Sequence, residues 1–318
     1  MNRAKSDKQK KPKSYKTTKH WVFFLFLLPT LLTFLVFVII PFVLGIYYSM
    51  TTWTGLNTGR EEWIWFQNYV TVFSDYGFAY SFLRTVIYSV LNIFAINLVA
   101  FGLALLVTQN IKIRNIARAG FFLPNLIGGL ILGYIWQFIF NNALESLGGA
   151  FSPSVLVSGE TALFGLIIVV TWQYAGYIMM IYIAALQNVP QDLIEAASID
   201  GANVYQRLRN ITLPLVAQAF TIALFLTLVT SFKQFDTVVS LTQGGPATQL
   251  PVWMANLYGL DIVPVVQSTN LIAMNIYAEA FTYTQMGIGQ AKAIIFFTVL
   301  IIFSLTQVYF SKKREVEL

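Results

Sequence analysis

The sequence contains no cysteine and a single histidine, His20, in 318 residues. Without cysteine there is no disulfide, no thiolate zinc site and no cysteine nucleophile. With one histidine, set in a basic tail, histidine-based acid–base catalysis and most metal sites fall away too. No Gly-x-x-x-x-Gly-Lys-[Ser/Thr] loop occurs, so the chain cannot cradle nucleotide phosphates in that manner. Charge is also scarce. Lys, Arg, Asp and Glu make up 11% of the chain, about half the usual ~25%. Apolar residues make up 57%, and mean hydropathy is +0.66. A soluble chain of this size needs a far more polar surface. A cytosolic enzyme, a disordered chain and a disulfide-built secreted domain are therefore excluded.

What is present is a set of long apolar runs, at about 21–48, 82–108, 119–140, 162–186, 214–236 and 286–310. Each reaches the ~20 residues that a helix needs to cross a bilayer. They lack the alternation of a barrel strand, so the expected fold class is an all-α membrane protein with six transmembrane helices. The first run is too long for a signal peptide, carries Pro29 and Pro41, and reads as a retained span. Sixteen of the twenty Lys and Arg residues fall in the tail before residue 21, the second and fourth loops and the C-terminal tail. The alternate loops hold only Arg60. This bias puts both termini in the cytoplasm. It leaves a basic tail (1–20), a six-span domain (21–310), a cytoplasmic loop (187–213), an extracytoplasmic loop (237–285) and a short cytoplasmic tail (311–318). The net charge of +6 is a topology signal rather than a nucleic-acid footprint. Trp53, Trp63, Trp65, Tyr69 and Tyr76 suit the outer interface.

Several polar residues lie inside the runs. Gly129 and Gly133 have the small-xxx-small spacing of close helix packing. Span four carries Trp172, Gln173, Tyr174 and Tyr177, and span five carries Thr227, Ser231 and Gln234 on one helical face. Polar groups at that depth face a cavity or a partner. Aromatic rings beside amides and hydroxyls suit sugars, whose C–H faces stack and whose hydroxyls hydrogen-bond. These residues, with Asn275, are candidates for a substrate pathway; interhelical hydrogen bonding is the competing use. Lys233 and Lys292 are expected to snorkel outward or to find an acid such as Asp236.

The loop between spans four and five is the most informative segment. Pro190 suits the first position of a short helix, with Asp192 in its first turn. Asp200-Gly201 stops that helix, and Asn203 with Gln206 can cap a second. Pro214 marks the entry into span five. Leu193, Ile194 and Ala197 form an apolar stripe, and Glu195 offers a charge to a partner.

Glu195-Ala196-Ala197, Asp200-Gly201-Ala202 and Ile211-Thr212-Leu213-Pro214 resemble the EAA loop of ATP-binding-cassette (ABC) importer permeases, with Gln206 at its family position. Leu208 stands where the family usually has Phe. Phe122-Leu-Pro124-Asn125, Trp136, Pro190 and Gly244-Gly-Pro246 are similar to the carbohydrate-uptake branch, in particular the maltose-type sugar permease subunit with an upstream tail. The resemblance covers about residues 20–312. It implies the type I ABC importer permease architecture in the bacterial plasma membrane and binding-protein-dependent transport of a sugar, an oligosaccharide more than a monosaccharide. It also implies a heterodimer with a second permease subunit, two ATPase subunits and an extracytoplasmic sugar-binding protein. ATP and Mg would sit on the ATPases, and this chain would bind no cofactor and do no catalysis. Glu195, Ala196, Ala197, Asp200, Gly201, Ala202, Leu208 and Pro214 would form the ATPase-coupling site, with Glu195 paired to a basic residue of the ATPase.

Residues 249–267 stand out as an insertion before Ser268–Tyr277, apolar but broken by Pro251, Gly259 and Pro264, and so not a seventh span. They are expected to enlarge the outer surface where the binding protein docks. The alternatives are an importer of a polyol or glycerol-phosphate ester, or a secondary transporter. A phosphate would call for several cavity-facing arginines, and ion coupling would call for carboxylates within the spans.

Overall fold

The structure, a computed structural model, describes residues 15–55, 61–109, 112–149 and 152–313. The basic tail before residue 15, Arg60 and residues 314–318 lie outside the described residues, as do the side chains of residues 15–20. The chain divides into two units, one up to Tyr48 and one from Ser49 onward. In the first, helix α1 (Tyr15–Phe34) continues through a π turn (Leu35–Ile39) into α2 (Ile40–Ser49). Pro29 and Pro41 lie within this helical run, each removing a backbone donor.

The second unit is almost wholly helical. A short α3 (Gln67–Ser74) leads to α4 (Tyr76–Thr108), whose first turn is capped by the Asp75 carboxylate accepting from Gly77 N at 2.8 Å. Then follow α5 (Arg114–Phe122), α6 (Gly129–Phe138), α7 (Gly159–Gln187), α8 (Gln191–Ile199), α9 (Val204–Arg207), α10 (Leu213–Leu215), α11 (Ala217–Phe232) and α12 (Asp236–Leu241). Strands β1 (Ala247–Gln249) and β2 (Val265–Gln267) pair antiparallel and enclose α13 (Val252–Leu257). Helices α14 (Ile272–Tyr277) and α15 (Met286–Lys312) end the chain. The insertion is thus a small hairpin closed by strand pairing, and it departs from the all-α expectation.

Among the described residues, four helices are long and apolar enough to cross a membrane: Trp21–Ser49, Tyr76–Thr108, Gly159–Gln187 and Met286–Lys312. Two bent pairs bring the number to six if each pair is one span. The run expected as a straight helix over 119–140 is one of them, with Arg114–Leu126 and Gly129–Leu147 meeting at 100°. Pro124 cannot donate, and Ile127 and Gly128 take extended conformations, so the helix stops and restarts. The other is Val204–Leu215 with Ala217–Phe232, bent by 70°. Here the helix runs through Pro214 and breaks at Val216, two residues beyond the expected entry point. Span five also stops at Phe232 rather than 236, so Lys233, Gln234 and Phe235 form a corner leading into α12.

The core lies between α4, α6, α7, α11 and α12, with Tyr88, Ile96, Leu132, Leu166, Met179 and Tyr182 fully buried. Two hydrogen-bonded groups of polar side chains link helices inside it. The Asn97 amide donates to Thr227 Oγ1 at 3.0 Å and accepts from the Tyr182 hydroxyl at 2.6 Å. Asn92 donates to Ser231 Oγ at 2.8 Å. Gly133 lets α12 sit directly on α6; a Cβ there would overlap the Ser240 hydroxyl.

At the end of the helices opposite α8, two cations are buried. Arg84 donates to the Ser268 carbonyl at 2.8 Å, to Glu160 at 3.2 Å and to the Gly159 carbonyl at 3.3 Å. Lys292, 1% exposed, donates to Asp75 at 2.8 Å, Glu279 at 2.7 Å and Asn275 at 3.0 Å. It neither snorkels nor meets Asp236. From the second turn of α15 it reaches the N-cap residue of α4 and the α14 segment with the turn that follows it.

Removing one partner of a buried ion pair typically costs ~3–5 kcal/mol, because a charge is left uncompensated. Lys292→Met is therefore expected to lower the thermal midpoint of the purified protein sharply. Adding Asp75→Asn and Glu279→Gln should recover much of the loss. Equal midpoints for wild type and Lys292→Met, followed by size-exclusion melting, would contradict this account of the cluster.

Candidate functional site

Two regions carry functional side chains, one on a loop and one within the helices. In the loop, Pro190 is the N-cap of α8 rather than its first helical residue, and the helix ends at Ile199. Gly201 follows with φ +81°, a left-handed conformation that costs an L-residue about 1–2 kcal/mol. Nothing lies within 4 Å of where its Cβ would be, so conformation and not space selects glycine. Asn203 then closes a reciprocal capping box: its side chain accepts from Gln206 N at 2.9 Å, and its own N–H donates to Gln206 Oε1 at 2.8 Å. The helix–turn–helix is thus internally satisfied.

Around this turn, Glu195, Ala196, Asp200 and Gly201 are exposed, and Ala197, Ala202 and Leu208 are partly exposed. Large apolar side chains are also open: Ile199 is 87% exposed, Val204 72% and Tyr205 64%. Ile194 packs inward against the main core and anchors α8 to it. The loop therefore presents an acid, small residues and apolar side chains from one rigid frame.

Within the helices, the corner after α11 opens a cavity of about 280 Å3 lined by Gln173, Tyr174, Lys233, Gln234, Phe235 and Asp236, among others. Its volume is near the ~300 Å3 lower end of small-molecule sites. Three side chains of this wall were singled out from sequence as pathway candidates: Gln173, Tyr174 and Gln234. The Gln173 amide donates at 3.0 Å to the carbonyl of Ile127, at the break in span three, so the bend and the cavity share one side chain.

The other pathway candidates lie elsewhere. Thr227 and Ser231 face α4 and take the Asn97 and Asn92 hydrogen bonds. Asn275 serves Lys292. Trp172, one helical step of about 100° before Gln173, lines a separate apolar cavity with Val99, Leu103 and Phe121, and its ring meets Trp136 at 5.6 Å. Tyr177 is 36% exposed and lines neither cavity. The single-face pattern of span five therefore splits: its helical part binds another helix, and Gln234, beyond the helix end, faces the cavity. Sequence reasoning passed over Asn92 and Asn97; two asparagines five apart in an otherwise apolar run were the available signal.

Residues 96–316 match the family model described as "Binding-protein-dependent transport system inner membrane component". The chain is 44% identical over 285 residues to the probable starch degradation products transport system permease protein AmyD of Thermoanaerobacterium thermosulfurigenes, covering 88% of this chain and 90% of that one. It is 28% identical over 242 residues to the trehalose/maltose transport system permease protein MalF of Thermococcus litoralis, covering 73% and 82%. Its fold is similar to that of a chain in the crystal structure of a bacterial ABC transporter involved in import of the acidic polysaccharide alginate. The TM-score is 0.74 at 22% identity, over 94% of this chain and 97% of that chain. With its bent and straight apolar spans, its capped loop and a family match over most of its length, this chain belongs to the inner-membrane components of binding-protein-dependent transport systems.

Proposed function

We propose that the chain is the permease subunit of an ATP-driven importer for a sugar, an oligosaccharide rather than a monosaccharide. The observation that carries this reading is the 44% identity, over nearly the whole length of both chains, with a permease named for starch degradation products. The cavity chemistry supports it. Amide groups from Gln173 and Gln234, the Tyr174 hydroxyl, Asp236 and the Phe235 ring supply hydrogen bonds and an apolar face. Lys233 and Asp236 are the ionic side chains of its wall, one of each sign, which suits a neutral solute. An anionic ester would call for several cations, and Arg84 is already committed to Ser268, Gly159 and Glu160. Ion-driven transport fares worse, because the carboxylates of Asp75 and Glu279 are both held by Lys292.

The partners that go with this reading are a second permease, two ATPase subunits that carry ATP and Mg, and an extracytoplasmic binding protein. The loop of residues 187–213 serves as the ATPase-coupling element, with Glu195, Ala196, Ala197, Asp200, Gly201, Ala202, Leu208 and Pro214 as its residues. The Lys and Arg bias supports a cytoplasmic position for this loop and for both termini. Six crossings then require that the 100° and 70° bent pairs each form one span.

Two sets of variants test the reading in proteoliposomes holding the complete importer. Glu195→Lys and Gly201→Val should reduce binding-protein-stimulated uptake to near background while leaving the amount of permease in the membrane unchanged. Full uptake by both would refute the coupling role.

Tyr174→Phe and Asp236→Asn each remove hydrogen-bonding capacity worth about 1–1.5 kcal/mol, or about tenfold in affinity. Initial uptake of labelled malto-oligosaccharides should fall by about that factor, with assembly intact. Unlabelled malto-oligosaccharides, and not glycerol 3-phosphate, should compete for uptake. Competition by the phosphate alone would overturn the sugar assignment.

A further inference from the structure

We propose that the exposed face of the β1–α13–β2 hairpin is a lipid-contacting element. It would lie at the headgroup–acyl boundary of the leaflet remote from the coupling loop. The first observation is chemical. From Thr237 to Ala278 the only charged residue is Asp261. Within that stretch Val252 is 63% exposed, Trp253 57%, Leu257 73%, Ile262 83% and Val265 67%. Large apolar side chains this open are poorly suited to water. Their exposed polar neighbours are three amide side chains, Gln249, Asn256 and Gln267, and one carboxylate, Asp261, groups that a headgroup zone accommodates. Tryptophan among aliphatic side chains is the composition of a membrane interface.

The second observation is position. Met254 and Ala255, on the inward side of α13, pack in one cluster with Tyr80, and Tyr76 and Leu83 pack against it. These belong to the first two to three turns of α4. Arg84 holds Ser268, immediately after β2, at the level of the first residue of α7. Helix α4 has 33 residues, about 50 Å at 1.5 Å per residue, against a hydrocarbon core of about 30 Å. Roughly 10 Å at each end therefore extends into the interfacial zone. That is the stretch against which α13 packs. The hairpin is too short to cross the bilayer. Its strands pair with each other along one edge, Ala247 facing Gln267 and Gln249 facing Val265, and their outer edges suit the hydrated headgroup zone rather than hydrocarbon.

The absence of cysteine makes the test direct. Leu257→Cys and Ile262→Cys would be spin-labelled in the complete importer, assembled with cysteine-free partner subunits in lipid nanodiscs. Collision with oxygen, which concentrates in lipid, would be compared with collision with a water-soluble nickel chelate. The expected result is access to oxygen well above access to nickel at both sites, unchanged when the binding protein is added. Dominant nickel access would place the face in water and overturn the proposal. Shielding from both reagents would assign the face to the sister permease, and immobilisation on adding the binding protein would assign it to docking; either overturns the proposal. The two positions lie on different parts of the hairpin, so failure of one variant to assemble leaves the other decisive.

Discussion

The Asn97 side chain uses both ends of its amide, donating to Thr227 and accepting from Tyr182, and so ties α4, α7 and α11 together in the middle of the apolar core. Bilayer hydrocarbon offers no water, so a polar group buried at that depth finds a protein partner or bears its desolvation cost. Hydrogen bonds between membrane helices contribute modestly, about 0.6–2 kcal/mol each. Their directionality matters more, because Asn97 reaches Thr227 and Tyr182 at only one rotation of the three helices. Asn92, about a turn and a half away along α4, adds a second tie to α11 by donating to Ser231. Together they orient α11 so that the residues beyond its end open toward a cavity.

The charged groups obey the same constraint at the remote end. Arg84 and Lys292 do not float at the interface but gather segments far apart in the chain: Ser268, Gly159 and Glu160 around one, Asp75, Asn275 and Glu279 around the other. A buried cation with several acceptors works as a node. It holds the hairpin, the N-termini of α4 and α7 and the segment after α14 in register, where apolar packing alone would allow sliding.

What could be read from the chain was governed by range. The capped helix–turn–helix rests on contacts three residues apart, and Asn203, Gln206 and Gly201 announced it directly. The apolar runs identified the helices because length and hydropathy are local properties. The 100° bend was hidden, since Pro124 and Gly128 weaken a helix but do not dictate a direction; the amide of Gln173, 46 residues away, holds the broken end. One acid of the Lys292 cluster was also out of reach, because Asp75 is 217 residues distant in sequence. Thr227 and Ser231 were read as one face, correctly in geometry. Whether that face meets a cavity or another helix depends on asparagines in a different span.

The capping box and the break at Val216 have a mechanical meaning when taken together. A helix–turn–helix whose second helix is reciprocally capped tends to move as one piece, and the break at Val216 separates it from α11. Displacement of α8 would then pass to α11 as a rotation rather than being absorbed as local unfolding. Helix α11, with 16 residues, is a rod of about 24 Å at 1.5 Å per residue. A tilt of about 5° on that length carries Lys233 and Gln234 through about 2 Å, enough to make or break a hydrogen bond to a solute. In the proposed importer the chain would in this respect act as a lever, with the capped loop as its stiff handle and the residues beyond α11 as its grip.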